Sequence, residues 1–153
     1  MTRIGLISDT HNLLRPDAAA WLQGCVHILH AGDICRPEVL EDLGRIAPVT
    51  AVRGNNDQGA WAERLPVQCT AEFAGVRVHL LHDLAELAID PAREAVQVVL
   101  SGHSHRPLVQ PRGGVLFVNP GSAGPRRFTL PISLGELWIE DGQVRAGLHT
   151  LAA

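Results

Sequence analysis

The chain has 153 residues, 46% of them apolar and 19% charged, with a formal net charge of −3, which is an ordinary globular composition at the size of one domain. A chain this long buries about 68–70% of its unfolded surface, so it needs no disulfide or structural metal to fold. No basic run is present, which argues against a nucleic-acid polymer as partner, and the longest apolar runs fall far below the ~20 residues of a membrane span. All 13 basic residues are arginine, so no lysine nucleophile or Schiff base is available. Cys25, Cys35 and Cys69 form no C-x-x-C pair, which points to free, packed thiols in a reducing compartment. The first residues lack a signal-peptide pattern, and a cytoplasmic protein without membrane contact is expected.

The predicted elements run as follows. Residues 4–8 are a short apolar strand. Residues 16–23 are a helix, with Pro16 suited to its first turn and Gly24 to its stop. Residues 25–30 are a second strand, and residues 37–46 a second helix with Val39, Leu40, Leu43 and Ile46 on one face. Residues 49–52 are a third strand. This β-α-β-α-β order implies a parallel sheet flanked by helices. Residues 67–81 read as two strands joined at Ala74-Gly75, and residues 83–95 as a helix in two pieces broken at Asp90-Pro91. Residues 96–100 and 115–118 are apolar strands. Residues 128–149 are two antiparallel strands around Glu140-Asp141-Gly142. There is no repeat or linker, so a single domain over residues 1–153 is expected, of α/β class with two stacked layers of mixed sheet covered by helices.

Six short clusters punctuate this pattern: S-D-T-H (Asp9, His11), H-A-G-D (His30, Asp33), R-G-N-N-D (Asn55, Asp57), L-L-H-D (His82), S-G-H-S-H (His103, His105) and N-P-G-S (Asn119, Ser122). Each stands at or near the end of a predicted strand, and parallel strands that finish side by side bring their loops to one edge. Asp9 and His11 are two apart, so on an extended strand end both face the same side. Asp33 offers a carboxylate able to bridge two ions, Asn55 an amide oxygen, and His82, His103 and His105 imidazole nitrogens. This mixed O/N set suits Mn, Fe, Zn or Co better than Ca or Mg. Seven ligands exceed what one tetrahedral ion takes, so two metals are implied. A lone D-x-H or H-x-H is more often an ordinary loop; the ordered conjunction is what carries the signal.

Asp9-x-His11, Gly32-Asp33, Gly54-Asn55-x-Asp57, His82 and Gly102-His103-x-His105 resemble the motifs of the calcineurin-like metallophosphoesterases. The spacing and Asn119-Pro120-Gly121-Ser122 are most similar to the compact bacterial and archaeal phosphodiesterase branch. The resemblance implies a four-layer α-β-β-α sandwich. It implies one metal on Asp9, His11, Asp33 and His105, and a second on Asp33, Asn55, His82 and His103, with Asp33 bridging. It further implies a hydroxide between the ions that attacks phosphorus in line. Manganese is the first expectation for the two ions, with Fe, Zn, Ni or Co as alternatives. Asp33, Asn55, His82 and His30 are the expected catalytic residues. Asn56, Asn119, Arg126 and Arg127 are the expected substrate-side residues. The substrate is expected to be a small phosphodiester or phosphomonoester, and apolar positions in the antiparallel segments leave room for a homodimer or homotetramer face. Asp57 is read either as an acceptor for a ligating imidazole or as a turn-stabilising residue, and His27, His79 and His149 as structural.

Two positions depart from the family pattern. Asn56 stands where larger relatives place a histidine that protonates the leaving group, which implies a preference for leaving groups that need little protonation. Asp83 stands where a glycine usually follows the ligating histidine. The competing reading is a non-catalytic metal-binding scaffold or interaction module on the same fold, as in a retromer subunit that resembles this family; the filled ligand positions favour an enzyme. A nuclease is disfavoured by the lack of a basic groove.

Overall fold

Two five-stranded mixed sheets stack face to face in the computed structural model, which describes residues 1–127 and 129–151. The first half contributes β1 (Thr2–Ile7), α1 (Pro16–Trp21), β2 (His27–His30), α2 (Pro37–Gly44), β3 (Val49–Ala51) and the short α3 (Ala60–Glu63). The second half contributes β4 (Gln68–Phe73), β5 (Val76–Leu81), β6 (Val98–Leu100), β7 (Leu108–Arg112) and β8 (Val115–Asn119), and the chain closes with β9 (Ser133–Glu140) and β10 (Gln143–Thr150). The strand orders are β10-β9-β1-β2-β3 and β4-β5-β6-β8-β7. Within them β1, β2 and β3 are parallel, as are β5, β6 and β8. Six strands therefore finish at the edge that carries the six clusters.

The reason these strands are apolar throughout is that both faces of each sheet are covered. Alternation divides their side chains between faces. Leu6, Leu29 and Val98 enter the core between the sheets, with Val78, Leu100, Val118 and Leu137. Their neighbours Ile7 and Ile28 point outward onto Leu22, Val39 and Leu43 of the first helical layer. On the far side, Val99 packs with Leu81, Val96 and Val115 under Leu84, Leu87 and Ile89. Proline begins both α1 and α2, where its missing N–H costs nothing.

Three local readings change. Residues 83–95 are not a two-piece helix but a 3-10 turn, Leu84–Glu86, followed by irregular turns. The Asp83 side chain caps the turn by accepting from the Ala85 N–H at 3.1 Å. Beyond it Leu84, Leu87 and Ile89 all reach down onto the second sheet, a spacing that serves packing rather than a helical stripe, and Pro91 forbids continuation. The unpredicted β7 is an edge strand pairing with β8 across Gly113-Gly114; Pro111 is tolerated there because an edge leaves one row of N–H groups unused. The unpredicted α3 is a single turn following Gly59. The C-terminal hairpin forms around Asp141-Gly142 as read, while Phe128, at the start of the segment assigned to it, lies outside the described residues.

Candidate metal centre

The loops after the parallel strands hold their side chains by unusual backbone. Asp9 (φ 54°), His11 (44°), Asp33 (56°), His103 (69°) and His105 (62°) all lie in the left-handed region, which costs a non-glycine residue about 1–2 kcal/mol each. Backbone pairing sustains it: the N–H groups of Asp9, His11 and Asn12 donate to the carbonyls of Gly32, Asp33 and Ile34, each at 3.0 Å. Asp57 ties the loops after β2 and β3 together. Its carboxylate accepts from the N–H groups of Asp33 (3.0 Å), Ile34 (2.8 Å), Cys35 (2.7 Å) and Gly54 (2.8 Å). The contacts are those of a turn-stabilising residue, not of an imidazole acceptor.

Two of the motif glycines are required by space rather than by φ. A Cβ at Gly54 would collide with the Asp33 backbone and carboxylate, and one at Gly102 with Ser8 Oγ and Asp9 Oδ2. The backbone of each loop thus lies directly against a ligand carboxylate.

The sheets bring the predicted ligands together. Asp9 Oδ1 lies 3.3 Å from His105 Nε2, 3.8 Å from His11 Nε2 and 3.9 Å from His82 Nε2. Asp33 Oδ2 lies 3.3 Å from His82 Nε2 and 3.7 Å from His11 Nε2. Two groups can each enclose an ion, Asp9 with His11 and His105, and Asp9 with Asp33 and His82. His103 Nδ1 stands 3.3 Å from His82 Nε2. Asn55 and His103 are exposed at the rim, where they line a cleft of about 180 Å³ with Arg53, Gly54, His82 and Asp83.

The donor set fits divalent cations. Asp9 is fully buried, yet its Oδ1 has no hydrogen-bond donor among the described residues, and neither has His11 Nε2. Among the described residues, two buried carboxylates have only imidazoles as ion-pair partners. Buried charge of that kind calls for a counter-ion. Burial pushes the Asp9 carboxyl up, but His105, His11, His82 and the Ser8 hydroxyl outweigh it and hold the carboxyl well below the usual range. Asp33 is likewise pushed up by burial and brought below its ordinary value by His82 and the Asn56 N–H. Both are therefore ionised at neutral pH. His82 is lowered by burial and raised, on balance, by Asp33 and Asp9. Its Nδ1 is 2.8 Å from the Ala31 carbonyl, an N–H···O contact that leaves Nε2 to the site.

Several predicted residues are spent inside the protein. His30 is fully buried: its Nδ1 accepts from the Gly32 N–H at 3.1 Å and its Nε2 meets Thr10 Oγ1 at 3.1 Å. Burial lowers its pKa to about 3, so it is a neutral strut behind both loops. Asn56 grips Asp33: its N–H donates to Oδ1 at 2.9 Å and its amide to Oδ2 at 3.0 Å. Asn119 is buried and donates to the Gly102 carbonyl (3.0 Å) and Ser104 Oγ (3.1 Å), while its Oδ1 accepts from the Gly121 N–H (2.9 Å). It braces the loop that carries His103 and His105. Arg126 and Arg127 are exposed, and no hydrogen bond or ion pair joins either to a ligand among the described residues. Cys35 Sγ lies 3.7 Å from His11 Nδ1; burial, Asp57, Asp33 and Asp9 push its thiol up to about 11, so it packs rather than reacts. All three cysteines are free.

Two supports of Asp9 were not foreseen: Ser8 is not singled out in the sequence, and Ser122 enters there only as part of the N-P-G-S cluster. Ser8 donates to Asp9 Oδ2 at 2.7 Å, and Ser122 to the Asp9 carbonyl at 2.9 Å. The signal for Ser8 was its place beside Asp9; for Ser122, 113 residues away, only the fold could supply it.

Comparison with known proteins gives the family and the fold. A model of the calcineurin-like phosphoesterase superfamily domain matches residues 2–142. A "probable metallophosphoesterase" of Methanothermobacter thermautotrophicus is 34% identical over 143 residues, covering 84% of this chain and 81% of the relative. Among solved structures, one reported as a novel archaeal phosphodiesterase superposes with a TM-score of 0.81 at 22% identity, over 97% of this chain and 100% of that one. Vps29 from Entamoeba histolytica, complexed with Zn²⁺, superposes with a TM-score of 0.75 at 23% identity, over 97% of this chain and 99% of that one. At such identities the two structures speak for the fold alone. No helix among the described residues is long and apolar enough to cross a membrane.

Proposed function

The chain belongs to the calcineurin-like phosphoesterase superfamily, and from that premise we propose that it is a single-domain phosphodiesterase of the cytoplasm that acts on small esters with the help of two divalent transition-metal ions. The observation that carries the reading is the convergence on Asp9 Oδ1, buried and without a donor, of three imidazole Nε2 atoms within 4 Å, with Asp33 alongside. Asp9, His11, Asp33 and His105 would hold one ion, and Asp33, Asn55, His82 and His103 the other, with manganese the first expectation. Ions bound there would neutralise phosphoryl oxygens and lower the pKa of water from 15.7 to about 7.

The chain's own residues do the rest. Asp33 is held by Asn56 from two directions, so both carboxylate oxygens keep their orientation. His82 keeps Nε2 toward the site because the Ala31 carbonyl occupies Nδ1. Asn55 and His103, at the rim of the cleft, are the ligands nearest to an arriving phosphoryl group. The position after Asn55 holds an amide already committed to Asp33, so it supplies no proton to a leaving group. That supports a preference for aryl or otherwise activated esters and diesters. The intact ligand set favours this reading over a non-catalytic scaffold on the same fold.

The test is hydrolysis of bis-p-nitrophenyl phosphate by protein reconstituted with Mn²⁺. Turnover is expected, and Asp33→Asn should lower it by more than the roughly 10–100-fold typical of residues that merely support a ligand. No turnover with Mn, Ni, Co or Fe would overturn the proposal, as would full activity in the Asp33→Asn protein.

A further inference from the structure

A second cavity, of about 480 Å³, adjoins the ligand cleft. Its walls are largely apolar, formed by Leu84, Pro107, Leu108, Phe117 and Val118. Leu108 is 45% exposed, and Leu84 and Phe117 are half-buried, so apolar side chains stand open here although the core lies next to them. The cavity and the ligand cleft are not separate places. His103 and Asp83 line both, and Asp83 Oδ2 lies 3.9 Å from His103 Nε2.

That arrangement selects an occupant. From a phosphoryl group at His82 and His103, an organic substituent that passes His103 meets the apolar wall of this cavity. The volume lies in the range of small-molecule sites, about 300–1,000 Å³, and leaves room for an aromatic ring. Where the two spaces join stands the Asp83 carboxylate. A phosphomonoester carries a charge of about −1.5 to −2 near pH 7, and its second charge would face that carboxylate. A diester carries one negative charge, and its further ester group is neutral.

We infer that this cavity is the subsite for an apolar, aromatic-sized ester group of a phosphodiester, and that Asp83 is the specificity-determining residue that turns phosphomonoesters away. The inference rests on the phosphoesterase reading and narrows it to a substrate class. Asp83 needs no contact with the reacting atoms; it acts through the field at the junction. Its other oxygen caps the turn at Ala85, a role that asparagine retains.

The experiment uses the Mn²⁺-loaded protein and two readouts. Calorimetry compares diphenyl phosphate with dimethyl phosphate, and kinetics compares bis-p-nitrophenyl phosphate with p-nitrophenyl phosphate. Diphenyl phosphate should bind about tenfold more tightly than dimethyl phosphate, and Leu108→Glu, on the exposed edge strand, should erase that preference. Asp83→Asn should raise kcat/KM for the monoester relative to the diester by about two- to fivefold, since one unit charge removed in water is worth about fivefold at about 4 Å and less at longer range. Equal binding of the two phosphates, in a protein that hydrolyses esters, would overturn the subsite and leave the phosphoesterase standing. Selective binding of diphenyl phosphate with no turnover of either nitrophenyl ester would overturn the phosphoesterase reading, and with it the claim that the bound diester is a substrate. An unchanged substrate ratio in Asp83→Asn would remove Asp83 as the discriminating residue.

Discussion

An imidazole with both nitrogens engaged behind a metal site does a different job from one that faces it. His30 meets Gly32 and Thr10 and faces no solvent, so protonation would break a hydrogen bond and bury a charge. Its pKa falls to about 3 from an ordinary 6.5. The unfolded chain then takes up a proton below pH 6.5 that the folded chain refuses until about pH 3. The stability His30 contributes is complete above pH 6.5 and is lost as pH falls toward 3. In metal-free protein, His30→Gln should reduce the slope of unfolding free energy against pH between 6 and 4 by up to about 1.4 kcal/mol per pH unit, one proton's worth. Urea titrations at several pH values would measure it, and an unchanged slope would contradict the neutral-strut role. His82 has the opposite sign: its pKa is raised, so its contribution is full at low pH and fades as pH rises past 6.5. Two histidines that look alike in the sequence thus pull stability in opposite directions, and only their neighbours decide which.

At the scale of elements, the loops matter more than the strands that end in them. Each parallel strand delivers its cluster to the same edge, but the ligands are aimed by left-handed turns at Asp9, His11, Asp33, His103 and His105. Such turns need outside support, and Asp57 supplies it to the β2 and β3 loops through four N–H groups. Removing that carboxylate strands several buried donors at once. Asp57→Ala should cost about 3 kcal/mol of stability, since each buried donor left unpaired costs about 1–3 kcal/mol, and it should weaken metal binding at the same time. Denaturant melts and metal titrations report the two effects; loss of metal affinity without loss of stability would instead mark Asp57 as a ligand. The segment over residues 83–95 shows the reverse case, in which local pattern misleads. Its leucines and isoleucine were spaced by what the second sheet needed beneath them, and the turn that Asp83 opens stops at Glu86, ahead of the break at Pro91.

Across the whole molecule, the candidate ligands divide between two sheets. Asp9, His11, Asp33 and Asn55 follow β1, β2 and β3, while His82, His103 and His105 follow β5 and β6. The sheets are joined by apolar packing along their faces, and at one edge by this cluster of two carboxylates and four imidazoles. Ions bound there would act as a staple between the sheets. Manganese at about 100 times its dissociation constant should add about 2.7 kcal/mol. For a chain of this size that raises Tm by roughly 5–10 °C, and a chelator should reverse it. A Tm unmoved by either would show that the cluster holds no ion in solution. The candidate ligands were legible in the order and spacing of the motifs, because a strand end followed by D-x-H, G-D, G-N-N-D or G-H-x-H needs no tertiary knowledge to be noticed. The continuous apolar runs of the parallel strands likewise pointed to sheets covered on both sides. What the tertiary structure alone decided is how each polar group is used. Asn119 and His30, read as site residues, are spent on bracing loops, Asn56 is spent on Asp33, and Ser122 reaches Asp9 from the far end of the chain. Strand ends can be read where an apolar run stops, because a strand covered on both faces is buried residue after residue; the partner of a hydrogen bond across 113 residues leaves no such local trace, and only the stacking of the sheets determines it.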